Sequence, residues 1–145
     1  MKIIHEGDFS CFSIYLTIGG RLPSFDLITK EVGMAPIQTA RIKKRIRDLN
    51  PNNDCLHDIW SIGFEKKPFA CLSEAFEEFI ERFSEGFEKM KCYSIRNGFE
   101  LFLHSKVVVK DYVPLLDLTP EIMKWMVDLD ANFRLDISDP DRNLD

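Results

Sequence analysis

Between Leu72 and Met90 the chain carries Leu72, Ala75, Phe76, Phe79, Ile80, Phe83, Phe87 and Met90 at spacings of three and four, with glutamates and lysines filling the other side. That spacing lines the apolar side chains along one stripe of an α-helix. A stripe of phenylalanines can line a ligand pocket, but its ordinary use is core. A helix with one apolar face must bury it against another layer.

Four segments with period-two alternation supply that layer. In FSIYLTI, Phe12, Ile14, Leu16 and Ile18 share a face, with Ser13, Tyr15 and Thr17 opposite. In DIWSIGF, Trp60, Ile62 and Phe64 oppose Ile59, Ser61 and Gly63. In FELFLH, Phe99, Leu101 and Leu103 oppose Glu100, Phe102 and His104. In FRLDIS, Phe133, Leu135 and Ile137 oppose Arg134, Asp136 and Ser138. Each strand therefore has one strongly apolar face and one mixed face.

Two further helices are expected. The first has Ser24 as N-cap after Pro23, reads FDLITKEV, and stops before Gly33 and Pro36. The other opens on Thr119 and Pro120 and buries Ile122, Trp125, Met126 and Leu129. The order is then strand, helix, strand, helix, strand, helix, strand. FSIYLTI leading to LPSFDLITKEV, and FELFLHS leading to LTPEIMKWMV, read as a weak internal duplication of a strand–helix–strand unit. The expected fold class is α+β: one sheet of roughly four strands, helices on a single face, and the other face open or covered by a partner.

A length of 145 residues fits a single domain, residues 1–145, with a core of about 11–138 and a frayed acidic tail at 139–145. Such a chain buries roughly 68–70% of its unfolded surface, so no disulfide or metal is needed to hold it. With 45% hydrophobic and 30% charged residues it is an ordinary globular composition. The net charge of −5 disfavours nonspecific attraction to nucleic acid. MKIIHEGDF has no signal-like apolar run, and nothing approaches the about 18 apolar residues of a membrane span. Cys11, Cys55, Cys71 and Cys92 form no C-x-x-C pair, so reduced, mostly buried thiols and a cytoplasmic location are expected.

The string FSIYLTIGG…LITKEVGMAP…HDIWSIGFEKK, the amphipathic helix, and LTPEIMKWMVDLDANFRLDIS together resemble an uncharacterised bacterial family, domain of unknown function 4279. The matching positions are Ile28-Thr29, Val32-Gly33, Pro36, Trp60-Ser61 and Leu135-Asp136-Ile137, and the similarity spans about residues 11 to 138. These motifs are caps, turns and core positions. RIKKRIRDLNPNN departs from the pattern, filling a segment that is otherwise glycine-rich and variable. The resemblance implies a bacterial origin and a compact α+β domain, and brings no catalytic residues with it.

HDIWSIGF sets a histidine, an aspartate and a serine close in sequence. His57 and Ser61 share a strand face but lie roughly 13 Å apart, while Asp58 points to the other face. A triad needs contacts of about 2.6–3.2 Å, so these three cannot form one among themselves. The only other histidines are His5 and His104, with no H-x-x-x-H or H-E-x-x-H spacing, so no metal site is expected. His57 and His104 could still meet across the mixed face if their strands pair. IGGRLPS, before a helix, offers Gly19, Gly20, Arg21 and Ser24 as an anion-binding alternative, although it matches no phosphate-binding fingerprint. Arg41, Lys43, Lys44, Arg45 and Arg47 with Asp48 give +4 over eight positions, a run better read as a solvated loop than as a nucleic-acid contact. From Asp128 to Asp145, six aspartates against two arginines give net −4, able to neutralise that run within one molecule or between two.

The leading expectation is a non-enzymatic protein-binding module, immunity- or antitoxin-like in format, with no cofactor. Its partner-binding face would be Tyr15, Thr17, Ile59, Ser61, Phe102, His104, Arg134 and Asp136, whose aromatic and arginine groups suit interface anchors. The alternatives are a small ligand-binding domain or enzyme using the IGGRLPS turn, a nucleic-acid contact through residues 41–47, and a face simply covered by further chain. A homo-dimer through an exposed edge or face is also open.

Overall fold

The computed structural model describes residues 6–42 and 57–140, beginning with a short 3-10 turn at Glu6–Asp8. The elements are β1 (Cys11–Gly20), α1 (Phe25–Val32), β2 (Gln38–Ala40), β3 (Asp58–Pro68), α2 (Leu72–Asn97), β4 (Glu100–Val108), α3 (Pro120–Leu129) and β5 (Asn132–Ser138). Among the described residues the strands form one mixed sheet in the order β2-β3-β1-β4-β5. All neighbours are antiparallel except β4 and β5, which are parallel and joined by the α3 crossover. The fold is α+β, with five strands where about four were expected. The extra one, β2, is three exposed residues with no alternation to read, and it pairs with Ile59–Ser61 of β3. The two strand–helix–strand units differ in sense, since β1 and β3 are antiparallel.

Phe12, Ile14, Leu16 and Ile18 of β1 are wholly buried at the centre of the sheet. Leu16 lies opposite Ile62 and Leu103, and Ile18 opposite Trp60 and Leu101. The α2 stripe covers this face. The Phe79 ring meets Phe64, Phe83, Phe87 and Trp125 at centroid separations of 5.2–6.2 Å. Such pairs add about 0.5–1.5 kcal/mol each beyond the area they bury. Ile80 and Phe83, at the edge of the stripe, are only partly buried. α1 joins the same side through Ile28 and Val32, and the Trp60 indole N–H donates to Thr29 Oγ1 at 3.1 Å.

Helix caps are partly local. Thr119 Oγ1 accepts from the Ile122 amide at 3.3 Å, as Thr-Pro at a helix start implies. Ser24 occupies the cap position of α1 without using its side chain, and its carbonyl takes the Leu27 and Ile28 amides instead. α2 begins after Cys71, and the Ser73 amide is capped by the Asp117 carboxylate at 3.3 Å, from the linker between β4 and α3. Cys11 and Cys71 are half-buried and Cys92 is exposed, so the expectation of mostly buried thiols does not hold for these three free cysteines. Cys11 sits on the helix-free face and Cys92 faces outward on α2. Cys55 lies outside the described residues, as do Lys43, Lys44, Arg45 and Arg47 and the tail from residue 141. No helix among the described residues is long and apolar enough to cross a membrane.

β3 carries an irregularity that matters for the helix-free face. The pairing with β1 shifts between Phe12 and Ile14, and Lys66 takes a left-handed conformation (φ 50°) with its amide donating to Ser13 Oγ at 3.0 Å. Nearby, Gly63 has φ 150°, and a Cβ there would lie 1.9 Å from the Ile14 carbonyl oxygen. Backbone, unlike a side chain, cannot step aside. Gly63→Ala is therefore expected to destabilise by at least about 3 kcal/mol in urea denaturation. Gly86→Ala, where the new Cβ crowds the flexible Met34 side chain at 2.6 Å, touches Val32 and Ile62 at ordinary contact distances and gains helix propensity, should stay within about 1 kcal/mol of wild type.

Candidate functional site

With the three described α-helices on one side, strand parity assigns the other face. Tyr15 and Thr17 of β1, Ile59 and Ser61 of β3, Phe102 and His104 of β4, and Arg134 and Asp136 of β5 all lie on it, as the register shows. Tyr15 is opposite His104, Thr17 is between Ser61 and Phe102, and His104 is opposite Arg134. These residues line or border an open groove of about 660 Å³, whose walls also include Gln38, His57, Glu100, Lys106 and Asn132.

The floor is built from groups that satisfy one another. The Thr17 and Ser61 hydroxyls are buried and 2.7 Å apart. Phe102 lies across β1 at Gly19, where a Cβ would come within 2.6 Å of its ring, and the ring meets His57 at a centroid separation of 5.7 Å. His57 Nε2 is 3.9 Å from the Glu100 carboxylate. At the other end His104 Nε2 is 2.5 Å from Asp136 Oδ2, and Arg134 Nε is 3.0 Å from the same oxygen. The hydrogen bond to His104, helped by Arg134, holds the Asp136 carboxyl below the usual carboxylate range against its partial desolvation. The Tyr15 hydroxyl donates to Glu65 at 2.7 Å. A histidine oriented by a carboxylate is half of an acid–base pair, but the neighbouring phenol is turned toward Glu65 and is not its partner. What the groove offers is an aromatic floor with charged walls.

His57 and His104 do not meet, contrary to the possibility raised from sequence. Their strands do not pair: β1 runs between them, and His104 is opposite Tyr15 while His57 lies beyond the Gly20–Asp58 pair. Among the described residues no three His, Cys, Asp or Glu side chains are grouped to hold a metal ion.

The IGGRLPS turn holds the chain's own carboxylate. Asp58, 2% exposed, accepts from the Leu22 amide at 3.1 Å and the Ile42 amide at 3.0 Å. Arg41 closes the arrangement, donating to Asp58 at 3.3 Å and to the Leu22 carbonyl at 2.8 Å while lying 4.2 Å over the Phe25 ring. Of the four positions offered for an anion, Gly19 serves the approach of Phe102, Gly20 turns with φ 147° beside the Phe99 ring, Ser24 caps through its carbonyl, and Arg21 is exposed. Arg41, the one basic-run arginine inside the described residues, is spent on the same anchor.

Sequence reading missed Gln38, because β2 is too short to alternate, and Glu65, which continues the Ser61–Gly63 parity before the bulge. The structure defines a one-sided α+β sandwich whose helix-free face is concave. The family model of a domain of unknown function (DUF4279) matches residues 10–140, and the chain belongs to that family. No curated protein and no solved structure gives a match.

Burial, reinforced by the Glu65 carboxylate, pushes the Tyr15 phenol from 10.0 up to about 12. A raised folded-state value means the fold prefers the neutral phenol. That contribution is fully present below pH 10 and is lost as pH rises through 12. Ultraviolet titration should show a phenol near pH 12 that vanishes in Tyr15→Phe and moves down in Glu65→Gln. The alkaline fall in stability should begin less steeply in Tyr15→Phe.

Proposed function

We propose that the chain is a non-catalytic cytoplasmic binding module that recognises a protein partner through the helix-free face of its sheet. The observation that carries this reading is the groove itself: Phe102 and Ile59 present apolar surface at its floor, and Lys106, Arg134 and Glu100 stand at its walls. Apolar anchors ringed by charges are the arrangement in which a few buried side chains carry most of an interface's energy. The polar side chains of the face are engaged with one another, which presents a preorganised surface and lowers the ordering cost of binding. An immunity- or antitoxin-like role is the specific form that the small acidic format favours.

One observation favours a second reading. A volume of about 660 Å³ falls within the range of roughly 300–1,000 Å³ typical of small-molecule sites, so a compact apolar ligand with an acidic group is the alternative occupant. Affinity capture from the source cells with wild type, Phe102→Ala and Lys106→Glu, each checked for a native circular dichroism spectrum, separates the two. A protein recovered by wild type and lost at least tenfold from both variants is the expected outcome. Equal recovery by all three removes the proposed face. A small molecule retained in the native mass spectrum of wild type and absent from Phe102→Ala transfers the site to the second reading.

A further inference from the structure

β5 is the sheet's edge among the described residues, and it is an edge with a symmetric sequence. Reading outward from Leu135, Arg134 faces Asp136, Phe133 faces Ile137, and Asn132 faces Ser138. The backbone follows the same parity. The Val109 amide donates to the Ser138 carbonyl at 2.8 Å, so even-numbered residues of β5 turn their backbone groups toward β4. Phe133, Leu135 and Ile137 therefore turn theirs away from β4, to an edge unpaired among the described residues.

We infer that this edge pairs with the same edge of a second copy, antiparallel, about a two-fold axis through Leu135. In that register the pairs Phe133–Ile137, Leu135–Leu135 and Ile137–Phe133 exchange backbone hydrogen bonds. Between them Arg134 of each copy sits opposite Asp136 of the other, in the closer, non-hydrogen-bonded positions. Charge complementarity selects this register. Moving the axis to Arg134 sets arginine over arginine, moving it to Asp136 sets aspartate over aspartate, and a half-step slip turns apolar residues onto the polar face. Charged side chains normally protect an edge strand from such pairing. Here the two signs are placed so that a copy of the same strand sets each opposite its complement.

The apolar exposure fits a second copy too. Phe133 is 41% and Ile137 55% exposed, although both belong to the core-facing side of the sheet. On α3, Met123 (47%) and Val127 (76%) are also exposed and lie two residues either side of Trp125, which packs on the α2 phenylalanines. At 3.6 residues per turn they are about 160° round the helix from Trp125, on the flank turned away from α2. Pairing across the axis buries the strand's apolar residues and brings the α3 flanks of the two copies toward each other. It is isologous, so it closes at two copies.

Sedimentation equilibrium across a concentration series is expected to give twice the 16.9 kDa chain mass for wild type. Arg134→Asp places four aspartates at the axis and Asp136→Arg places four arginines, so each variant alone should run as a monomer, its dimer weakened at least 100-fold. An equimolar mixture of the two restores both unlike pairs and should run as a dimer. Ile137→Pro removes an outward amide without touching the β4 ladder, and it should also be monomeric with a native circular dichroism spectrum. Hydrogen exchange gives a second measurement: the Phe133 and Leu135 amides should be protected in wild type and exposed in Ile137→Pro. A monomeric wild type overturns the inference. So does a dimer that survives either single charge reversal, or a mixture that stays monomeric.

Discussion

The burial of the α2 phenylalanines against β1 is the contact from which the rest of the molecule takes its bearings. Strand side chains alternate strictly, so seating Phe12, Ile14, Leu16 and Ile18 beneath Phe76 and Phe79 simultaneously assigns every intervening residue to the opposite side. The helix-free face is thus not an independent construction. Its aromatic and charged members are the complement of the core, and a slip of one residue in β1 would exchange the two. Antiparallel neighbours on both sides of β1 carry that parity across the sheet, and the parallel β4–β5 pair passes it on to the edge.

A second layer of order comes from buried polar groups that tie distant backbone together. Asp58 accepts amides from Leu22 and Ile42, and Ser10 Oγ donates to the Tyr112 carbonyl while accepting from the Lys110 amide. Leaving such groups unpaired costs about 1–3 kcal/mol each, more for a charge, so these ties specify where loops run as firmly as the apolar core does. The Lys91 ammonium donates to the Asp128 carbonyl near the end of α3, where a cation suits the helix's negative pole. Loop placement decides the groove's surroundings, because β2 and the approach to β3 depend on the Asp58 anchor.

Periodicity was sufficient for the elements that bury a face. α1 matches FDLITKEV, α3 starts at the Thr119-Pro120 cap, and the parity of four strands placed Tyr15, Thr17, Ile59, Ser61, Phe102, His104, Arg134 and Asp136 on one side. Strand order was not legible, since alternation says which face a residue takes and nothing about which strand lies beside it. That is why His57 and His104 were allowed to meet although β1 separates them. The parallel sense of β5 was hidden for the same reason. Glu65 escaped because a bulge follows it, and β2 because three exposed residues have no period. Asp58 was correctly turned away from His57 and Ser61, but its hold on Leu22 and Ile42 depends on a return of the chain that no local pattern encodes.

Gly19 has a consequence for the groove out of proportion to its size. The ring of Phe102 rests where its missing side chain would be, and that ring is the apolar floor. The depth of the groove is accordingly metered from below, by a position beneath the ring. A single carbon at 19 would lift the ring and make the cleft shallower while leaving the wall residues in place. Depth and wall chemistry are in this way written at separate positions, one on the central strand and the others elsewhere in the sheet, and each can vary without rewriting the other.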